Sequence, residues 1–263
     1  MSDMTKESEF EDLLIRARRR LLQMHFEAGV GHIGGNLSCL DAMLYVHHHV
    51  LAEGDMFVLS KGHSVGALYV TLWTLGRLSD ADLCRFHRDG TTLAAHPAGG
   101  WSPNIVFSTG SLGHGLSLAA GVALGKRLKG EPGRVFCLCS DGEWQEGSTW
   151  EALTFARHHG LESLTVLIDG NGLQGFGDTQ SVASMADLGR RIAGFGVNVT
   201  EIDGHDLTGL SQIGQRATGG PQVFLMRTIK GKGVPFMENR MEWHYLPMTA
   251  DQYAQACGVL PAP

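Results

Sequence analysis

The sequence predicts an α/β fold in which helices cover a five-stranded parallel sheet. Five short apolar or β-branched runs are separated by segments of helical length, a pattern typical of parallel strands joined by crossover helices. The runs are residues 57–59, 135–139, 164–168, 197–202 and 223–229. At 263 residues with 43% hydrophobic content, the chain is long enough to bury one large core. We therefore expect a single domain over residues 1–263.

The chain is predicted to open with an amphipathic helical arm. Apolar residues between Phe10 and Leu22 recur at helical spacing, and Gly29 is a typical helix stop. The basic trio at residues 18–20 is interpreted as a solvated face of this helix, and residues 31–36 as a loop. Helix N-caps are expected at four later places, including the start of a short C-terminal helix. The predicted cap residues are Ser38 with Asp41, Ser79 with Asp82, Asp206, and Thr249 with Gln252.

The charge and cysteine content exclude several classes of function. The formal net charge is -6, with 27 acidic against 21 basic residues, so neither a nucleic-acid footprint nor a membrane-surface patch is expected. Five cysteines without a C-x-x-C pair indicate reduced thiols and a cytoplasmic location. No export signal is expected near the N-terminus, and the longest apolar stretch is too short to span a membrane.

Polar residues follow two neighbouring predicted strands. Asp141 and Gly142 come after the run at 135–139, and Asn171 comes after the run at 164–168. The carboxyl ends of parallel strands share one sheet edge, so both side chains are expected there. Carboxylate and amide oxygens suit Mg²⁺ bridged to a diphosphate, with Ca²⁺ or Mn²⁺ as alternatives. Asp-Gly or Asn-Gly alone is better read as a turn dipeptide, but the two together at this spacing favour a ligand site.

Eleven of the thirteen histidines can be interpreted from their surroundings in the sequence. Residues 47–49 and 158–159 lie on predicted helices and are interpreted as a partly exposed face and as a favourable helix C-terminus. His205 is interpreted as part of a turn before the Asp206 cap. Five others lie in loops marked by Gly or Pro, where an imidazole can reach a ligand. These are His32, His63, His96, His114 and His244.

The segment Ser140-Asp141-Gly142 followed by Asn171 resembles the thiamine diphosphate motif, with Ser140 in place of the usual first Gly. The flanking residues 143–147 and 151–152 resemble the transketolase family, and further segments resemble it in the same order along the chain. They are residues 31–38, 59–63, 96–97 with 108–115, and 230–233 with 243–244. The resemblance implies a thiamine diphosphate-binding fold over most of the chain.

The resemblance also implies a role for each matching residue. Metal ligands are expected at Asp141, Asn171 and the backbone carbonyl of Leu173. Glu146 matches a glutamate that links two halves of the active site across a subunit interface. Histidines that handle substrate hydroxyls and the developing alkoxide are expected at His32, His96 and His244. Cofactor contacts are expected at His63, Gly110, Leu112, Asp141, Gly142, Glu146 and Asn171.

The matching region covers only the diphosphate-binding part of a transketolase. The family's pyrimidine-binding domain has no counterpart here, so the resemblance implies the N-terminal subunit of a split enzyme. Such a subunit would transfer a two-carbon ketol unit from a ketose or 2-oxo donor to an aldehyde. It would act only in a heterotetramer with a C-terminal pyrimidine-domain subunit. The alternatives are a subunit of a 1-deoxyxylulose-phosphate-synthase-like or 2-oxo acid decarboxylating carboligase, or a catalytically idle cofactor-binding regulatory subunit.

Three departures from the family pattern lie close to the expected substrate. His114 stands where Gln is usual, Tyr245 follows His244 where Gly is common, and residues 176–178 alter the loop after the metal asparagine. These changes leave the cofactor interpretation intact. They leave open whether the substrate is a sugar phosphate.

Overall fold

The computed structural model describes residues 3–216 and 218–261, with the side chains of residues 3–6 left out. Five parallel strands form one sheet in the order β1-β2-β3-β7-β6. They are β1 (Met56–Leu59), β2 (Val135–Ser140), β3 (Leu164–Gly170), β6 (Asn198–Asp203) and β7 (Gln222–Arg227). A small antiparallel pair, β4 (Leu173–Gln174) and β5 (Gly177–Asp178), follows β3 as a hairpin. The predicted five-stranded parallel sheet is confirmed, whereas the hairpin was not foreseen.

Helices cover both faces of the sheet. They are α1 (Asp3–Ala28), α2 (Ile33–Tyr45), α3 (Val65–Thr74), α4 (Asp80–Leu83), α5 (Gly115–Lys129), α6 (Gly147–His158), α7 (Thr179–Val182), α8 (Leu188–Ala193), α9 (Leu207–Ser211) and α10 (Ala250–Val259). A π-helical turn, Val46–Val50, extends α2, and four 3₁₀ turns occupy Gly62–Ser64, Gly142–Gln145, Gln212–Gly214 and Met241–His244. The helical arm and the C-terminal helix are therefore confirmed.

The central strands are buried on both sides because their alternate side chains enter two different apolar clusters. Phe136 and Leu138 of β2 pack with α1, α2 and α3 on one face. Val135, Cys137 and Cys139 pack with α5, α6 and α8 on the other. All five cysteines carry free thiols, three of them buried. Within the described residues, none of the helices is both apolar enough and long enough to cross a bilayer.

Three of the predicted helix caps are confirmed and one is wrong. Ser79 with Asp82 and Thr249 with Gln252 form capping boxes, and the Asp206 carboxylate accepts from the Gly209 N–H. The predicted loop at residues 31–36 and the predicted cap at Ser38 are wrong, because α2 already begins at Ile33. Its N-cap is His32, whose backbone is left-handed at φ 65°. Ser38 lies inside the helix and donates to Asp169 at the sheet edge.

The basic trio on α1 is not a solvated face, so that interpretation is wrong. Arg18 binds both carboxylate oxygens of Asp41, at 2.5 and 2.7 Å. Arg19 donates to backbone carbonyls at the end of α10, and Arg20, which is buried, pairs with Asp80. The trio instead fastens the arm to three other elements.

Asp41 also binds His205, so it joins α1 to the carboxyl end of the sheet. The backbone N–H of Ile229 donates to His205 Nε2 at 2.9 Å. The ring proton therefore lies on Nδ1, which donates to Asp41 at 2.8 Å. His205 thus acts in a buried network as well as preceding the Asp206 cap. The network reaches the residue directly before Lys230, which lines the site described below.

We expect Asp41→Ala to lower the free energy of unfolding of the purified chain by about 3 kcal/mol, because it leaves a nearly buried guanidinium without its partner. The Arg18 and Asp41 side chains are only 12% and 2% exposed. Urea denaturation measures the change. Arg190→Ala, which removes a pair whose side chains are 86% and 69% exposed, is the matched control and should have no measurable effect. A loss for Asp41→Ala no larger than that of the control would contradict the network.

Candidate active site

A cavity of about 280 Å³ opens at the carboxyl edge of the sheet. Ligands of open α/β sheets bind at this edge, since the loops after successive strands converge there. The cavity contains ten of the eleven residues predicted from the sequence. They are His32, His63, His96, Gly110, Leu112, Asp141, Gly142, Asn171, Leu173 and His244.

Glu146 is the exception among the predicted site residues. It lies outside the cavity, is exposed, and forms the N-cap position of α6. Its side chain packs beside Gly113, where an added Cβ would stand 2.8 Å from Glu146 Cβ. Glu146 is therefore next to the loop that carries Leu112 but faces outward from this chain.

Four imidazoles surround one side of the cavity. The His32 ring centroid lies 5.6 Å from that of His63, 5.9 Å from His96 and 5.2 Å from His244. His63 and His244 are 5.3 Å apart. These residues come from four separate segments of the chain, so the fold, not the local sequence, assembles the cluster.

The buried amide of Asn36 holds two of these histidines in place. Its Nδ2 donates to the backbone carbonyls of His32 and His63, at 2.8 and 3.1 Å. Its Oδ1 accepts from the N–H of Ala67 at 2.7 Å. The N–H of His32 in turn donates to the His244 carbonyl at 3.1 Å. Hydrogen bonds to backbone groups therefore fix the main-chain positions of the three residues that carry these imidazoles.

The histidine cluster is neutral at pH 7. Burial lowers the pKa of His32 to about 4, with the neighbouring His96 and Lys230 adding to the shift. Burial, followed by the charge of Lys230, lowers the pKa of His244 to about 3. The pKa of His63 is held well below its usual value, chiefly by burial, and burial also lowers the pKa of His96. Each ring therefore has one N–H donor and one acceptor nitrogen.

Lys230 fixes the tautomer of His244. Lys230 Nζ lies 3.0 Å from His244 Nδ1, and an ammonium group can only donate. His244 Nδ1 is therefore the acceptor, and its proton lies on Nε2. Burial, then the charge of Lys61, lowers the pKa of Lys230 to about 8, so it remains mostly protonated at pH 7.

A buried ion pair between Lys61 and Asp169 forms the floor of the cavity. The Asp169 carboxylate also accepts from Ser38 at 2.5 Å, from Asn171 Nδ2 at 3.1 Å and from the Thr228 hydroxyl. Burial by itself would raise the pKa of Asp169, but the charge of Lys61 and these hydrogen bonds outweigh it, so the pKa is lowered. The pair is ionised and leaves Lys61 with its charge satisfied inside the protein.

Asp141 is buried without a matching cation. Its two carboxylate oxygens accept from the N–H groups of Gly142 and Gly172, at 2.7 and 2.6 Å. Burial, followed by the charge of Asp169, raises its pKa to about 6. A carboxylate has about four lone-pair positions, so two backbone bonds leave room for a positive ligand.

Asn171 is oriented by the same floor. Because its Nδ2 donates to Asp169, its Oδ1 faces the turn at residues 172–173 and accepts from the Leu173 N–H at 3.0 Å. Within the described chain, no three His, Cys, Asp or Glu side chains are grouped to hold a metal ion. The candidate ligands here are of another kind: one carboxylate, one amide oxygen and one backbone carbonyl. Hard oxygens of this kind suit Mg²⁺, so the residues fit the ion.

The loop that carries Gly110 and Leu112 is held by a second buried carboxylate. Glu143 accepts from the Ser60 hydroxyl, from the Gly113 N–H at 2.8 Å and from the Ser140 N–H at 3.2 Å. Gly110 has φ 140°, and an added Cβ would stand 2.7 Å from the His96 ring. Only a glycine there allows the backbone to lie against His96.

The cavity also contains residues to which the sequence assigned no role. Lys61 follows β1 and Lys230 follows β7, just as Asp141 follows β2. The rule that predicted Asp141, that polar residues after parallel strands meet at one sheet edge, therefore applies to these two lysines as well. Gly35 also lines the wall and lies within the family-like segment 31–38, whereas the lining residues Gln174 and Gly175 carry no distinguishing signal in the sequence. Tyr245 and Phe176 lie at the mouth. His114 does not line the cavity; it stands at the N-terminus of α5.

The sequence model described as the thiamine diphosphate-binding domain of transketolase matches residues 19–260. The chain belongs to the transketolase family. A transketolase of Leishmania mexicana has the same fold, with a TM-score of 0.87 at 24% identity over 94% of this chain and 40% of that one. Human transketolase is 32% identical over 96% of this chain and 42% of its own length. The chain thus spans about four-tenths of these transketolases.

Two relatives of similar length are named as subunits of transketolases. One, from Phocaeicola vulgatus, is a subunit of apulose-4-phosphate transketolase and is 35% identical over 91% of this chain and 89% of its own. The other, from a Clostridium species, is the 6-deoxy-6-sulfo-D-fructose transketolase subunit SqwG, and it is 33% identical over 92% and 93%. The predicted resemblance to the N-terminal subunit of a split transketolase is confirmed. The prediction of a transferase family is confirmed with it.

Lowered histidine pKa values predict a pH-dependent stability. Between the folded pKa of His32, about 4, and its ordinary value of 6.5, the unfolded chain binds a proton that the folded chain does not. The free energy of unfolding therefore rises with pH across this window, by up to about 1.4 kcal/mol per pH unit for one histidine. His32→Asn removes this titrating group, so it should reduce the slope by up to about 1.4 kcal/mol per pH unit.

Urea titrations of the purified chain at several pH values measure this slope. Asn tolerates the left-handed backbone of His32, so the loop can keep its conformation. His87→Asn replaces an exposed histidine with the same backbone conformation and reports the effect of Asn at positive φ. A slope in His32→Asn equal to that of the wild type would contradict a neutral, buried His32.

Proposed function

We propose that this chain is the diphosphate-binding subunit of a thiamine diphosphate- and Mg²⁺-dependent transketolase. It transfers a two-carbon ketol unit from a ketose or 2-oxo donor to an aldehyde, and it acts only with a separate pyrimidine-domain subunit. The observation that carries the proposal is the convergence of the Asp141–Asn171 pair and four neutral histidines on one cavity. The names of the two similar-length relatives support an enzyme of more than one subunit.

The cofactor would be held by its diphosphate end. Asp141, Asn171 and the Leu173 carbonyl would bind Mg²⁺, and Gly142 and His63 would lie beside the diphosphate. Gly110 and Leu112 would also touch the cofactor. Thiamine diphosphate, when bound, would supply a nucleophilic carbon, the deprotonated carbon of its thiazolium ring, for chemistry at the carbonyl group of the donor. Lys61 is already paired with the Asp169 carboxylate. Lys230 donates to the neutral His244 instead, so it is the lysine of this wall with fewer charged partners.

The neutral histidines would handle the substrate's hydroxyl protons. His244 Nε2–H can donate to a substrate oxygen, since Lys230 occupies its Nδ1. His32 and His96 each have both a donor and an acceptor nitrogen, so either can hold a hydroxyl or exchange a proton with an alkoxide oxygen. A group that moves such a proton typically contributes a factor of about 10² to 10⁴ in rate.

The subunit interface would form beside the loop that carries Leu112. Glu146 is exposed beside the Leu112 loop and is proposed to reach the partner subunit. We propose two copies of each subunit in the assembly, a heterotetramer. The names of the two relatives refer to different ketoses, so they do not choose a donor for this chain.

Reconstitution tests the proposed function. The chain is purified alone and together with a transketolase-type pyrimidine-domain protein from the same organism, and ketose and 2-oxo acid donors are assayed with glycolaldehyde as acceptor. We expect transfer only by the complex, with a native mass of two copies of each subunit. Equal transfer by the chain alone would contradict the partner requirement. Carbon dioxide release from a 2-oxo acid as the main reaction would favour the decarboxylating alternative, and binding without turnover would favour the idle regulatory role.

The ligand assignment predicts that Asp141→Ala weakens Mg²⁺-dependent binding of thiamine diphosphate to the complex. The variant removes the one anionic ligand, so we expect a loss of at least about 100-fold, or about 2.8 kcal/mol. Calorimetric titration with and without Mg²⁺ measures it. Asp178→Ala is the matched control, because that carboxylate caps α7 and is exposed on the β4–β5 hairpin, which also carries Leu173. A loss below tenfold for Asp141→Ala would refute the assignment.

A further inference from the structure

Tyr245 stands at the mouth of the cavity, and the backbone on both sides leaves room for it. Its side chain and backbone together are 53% exposed, and it lines the cavity directly after the 3₁₀ turn that carries His244. A Cβ added to Gly31 would lie 2.1 Å from the Tyr245 carbonyl oxygen. A Cβ added to Gly175 would lie 2.1 Å from the Tyr245 hydroxyl. The Tyr245 backbone thus packs against Gly31, and its phenol is seated on Gly175, which means that the hydroxyl occupies the space a Cβ would need there.

The phenol lies between the histidine cluster and solvent. Its ring centroid is 4.7 Å from that of His244 and 6.2 Å from that of His32. The adjacent rim residue, Phe176 on the hairpin tip, is also aromatic and is 84% exposed. A substrate whose carbonyl group reaches His244 must therefore extend its tail past these rings.

The main chain at Tyr245 is held at the mouth of the cavity. Its N–H donates to the Glu242 carbonyl at 3.1 Å, and the carbonyl of the preceding residue accepts from the His32 N–H. With the Tyr245 carbonyl against Gly31, this backbone is held on both sides. The phenol is therefore anchored at the mouth and can leave it only by rotation of its own side chain.

We propose that Tyr245, seated on Gly175, is a specificity-determining residue that restricts the acceptor aldehyde, and equally the part of a ketose donor beyond its two transferred carbons, to short, unbranched chains. This inference rests on the proposed function. An aldehyde of two or three carbons has little or no tail beyond the carbonyl group held at the histidines, so it would make few contacts with the phenol. A five-carbon aldehyde would extend its tail toward the ring.

Acceptor competition in the reconstituted complex tests this restriction. With one ketose donor held fixed, kcat/KM is measured for glycolaldehyde and for D-ribose, and the ratio of the second to the first is compared between variants. Tyr245→Ala should raise the ratio at least tenfold, since it removes the ring. Tyr245→Phe keeps the ring and should leave the ratio within threefold of the wild type.

A second measurement, of thermal stability, tests whether the Tyr245 phenol rests on Gly175 and does not depend on enzyme activity. The Gly175 backbone is not left-handed, so alanine fits its conformation, and the three atoms nearest an added Cβ are two of the Tyr245 phenol and His244 Nε2, at 3.3 Å. Gly175→Ala should lower the Tm of the purified chain by about 3 °C or more in the wild-type background and by clearly less in Tyr245→Ala. Equal shifts in both backgrounds would show that the phenol does not rest on Gly175.

The outcomes separate the two claims. Transfer to glycolaldehyde with an unchanged ratio in Tyr245→Ala would overturn the specificity role alone. Absence of transfer to either aldehyde by every complex would overturn the proposed function and this inference with it. A raised ratio together with unequal Tm shifts supports both the restriction and its structural cause.

Discussion

The structure depends on one buried carboxylate, that of Asp169, at the carboxyl edge of the sheet. It ends β3, and its partners come from the loop after β1, from α2, from the end of β7 and from Asn171. Burying a charge without partners is costly, so the position of each partner is constrained once Asp169 is inside. Four segments distant in sequence are therefore brought to one point beneath the cavity.

The same constraint explains how the site can hold opposite charges so close together. Lys61 satisfies Asp169, and Asp141 on the next strand is left without a cation of its own. The histidines cannot compensate, because burial keeps them neutral. Lys230 is protonated, but it donates to His244 and forms no ion pair with Asp141 among the described residues. A positive ligand at Asp141 would balance that charge, which is the physical basis for proposing a divalent ion there.

The sequence predicted those features that follow from topology and missed those that follow from tertiary contact. Asp141 and Asn171 were foreseen because carboxyl ends of parallel strands must share an edge. The start of α2 was missed because Gly34 and Gly35 have low helix propensity, yet Trp243 and Lys230 pack so close to Gly34 that a side chain there would be crowded. The burial of the arginines on α1 was missed because their partners, such as Asp41, lie far away in the sequence. The roles proposed for the site residues remain predictions.

The Glu143 carboxylate has a consequence for assembly. By binding Ser60, Gly113 and Ser140 together, it joins the ends of β1 and β2 to the loop before α5. These hydrogen bonds hold the backbone of that loop within the chain itself, so a second protein docking against it would have less backbone entropy to remove there. Association on this side, where we propose that the partner subunit binds, would then be the docking of a surface whose backbone is already positioned, with only its exposed side chains left to order.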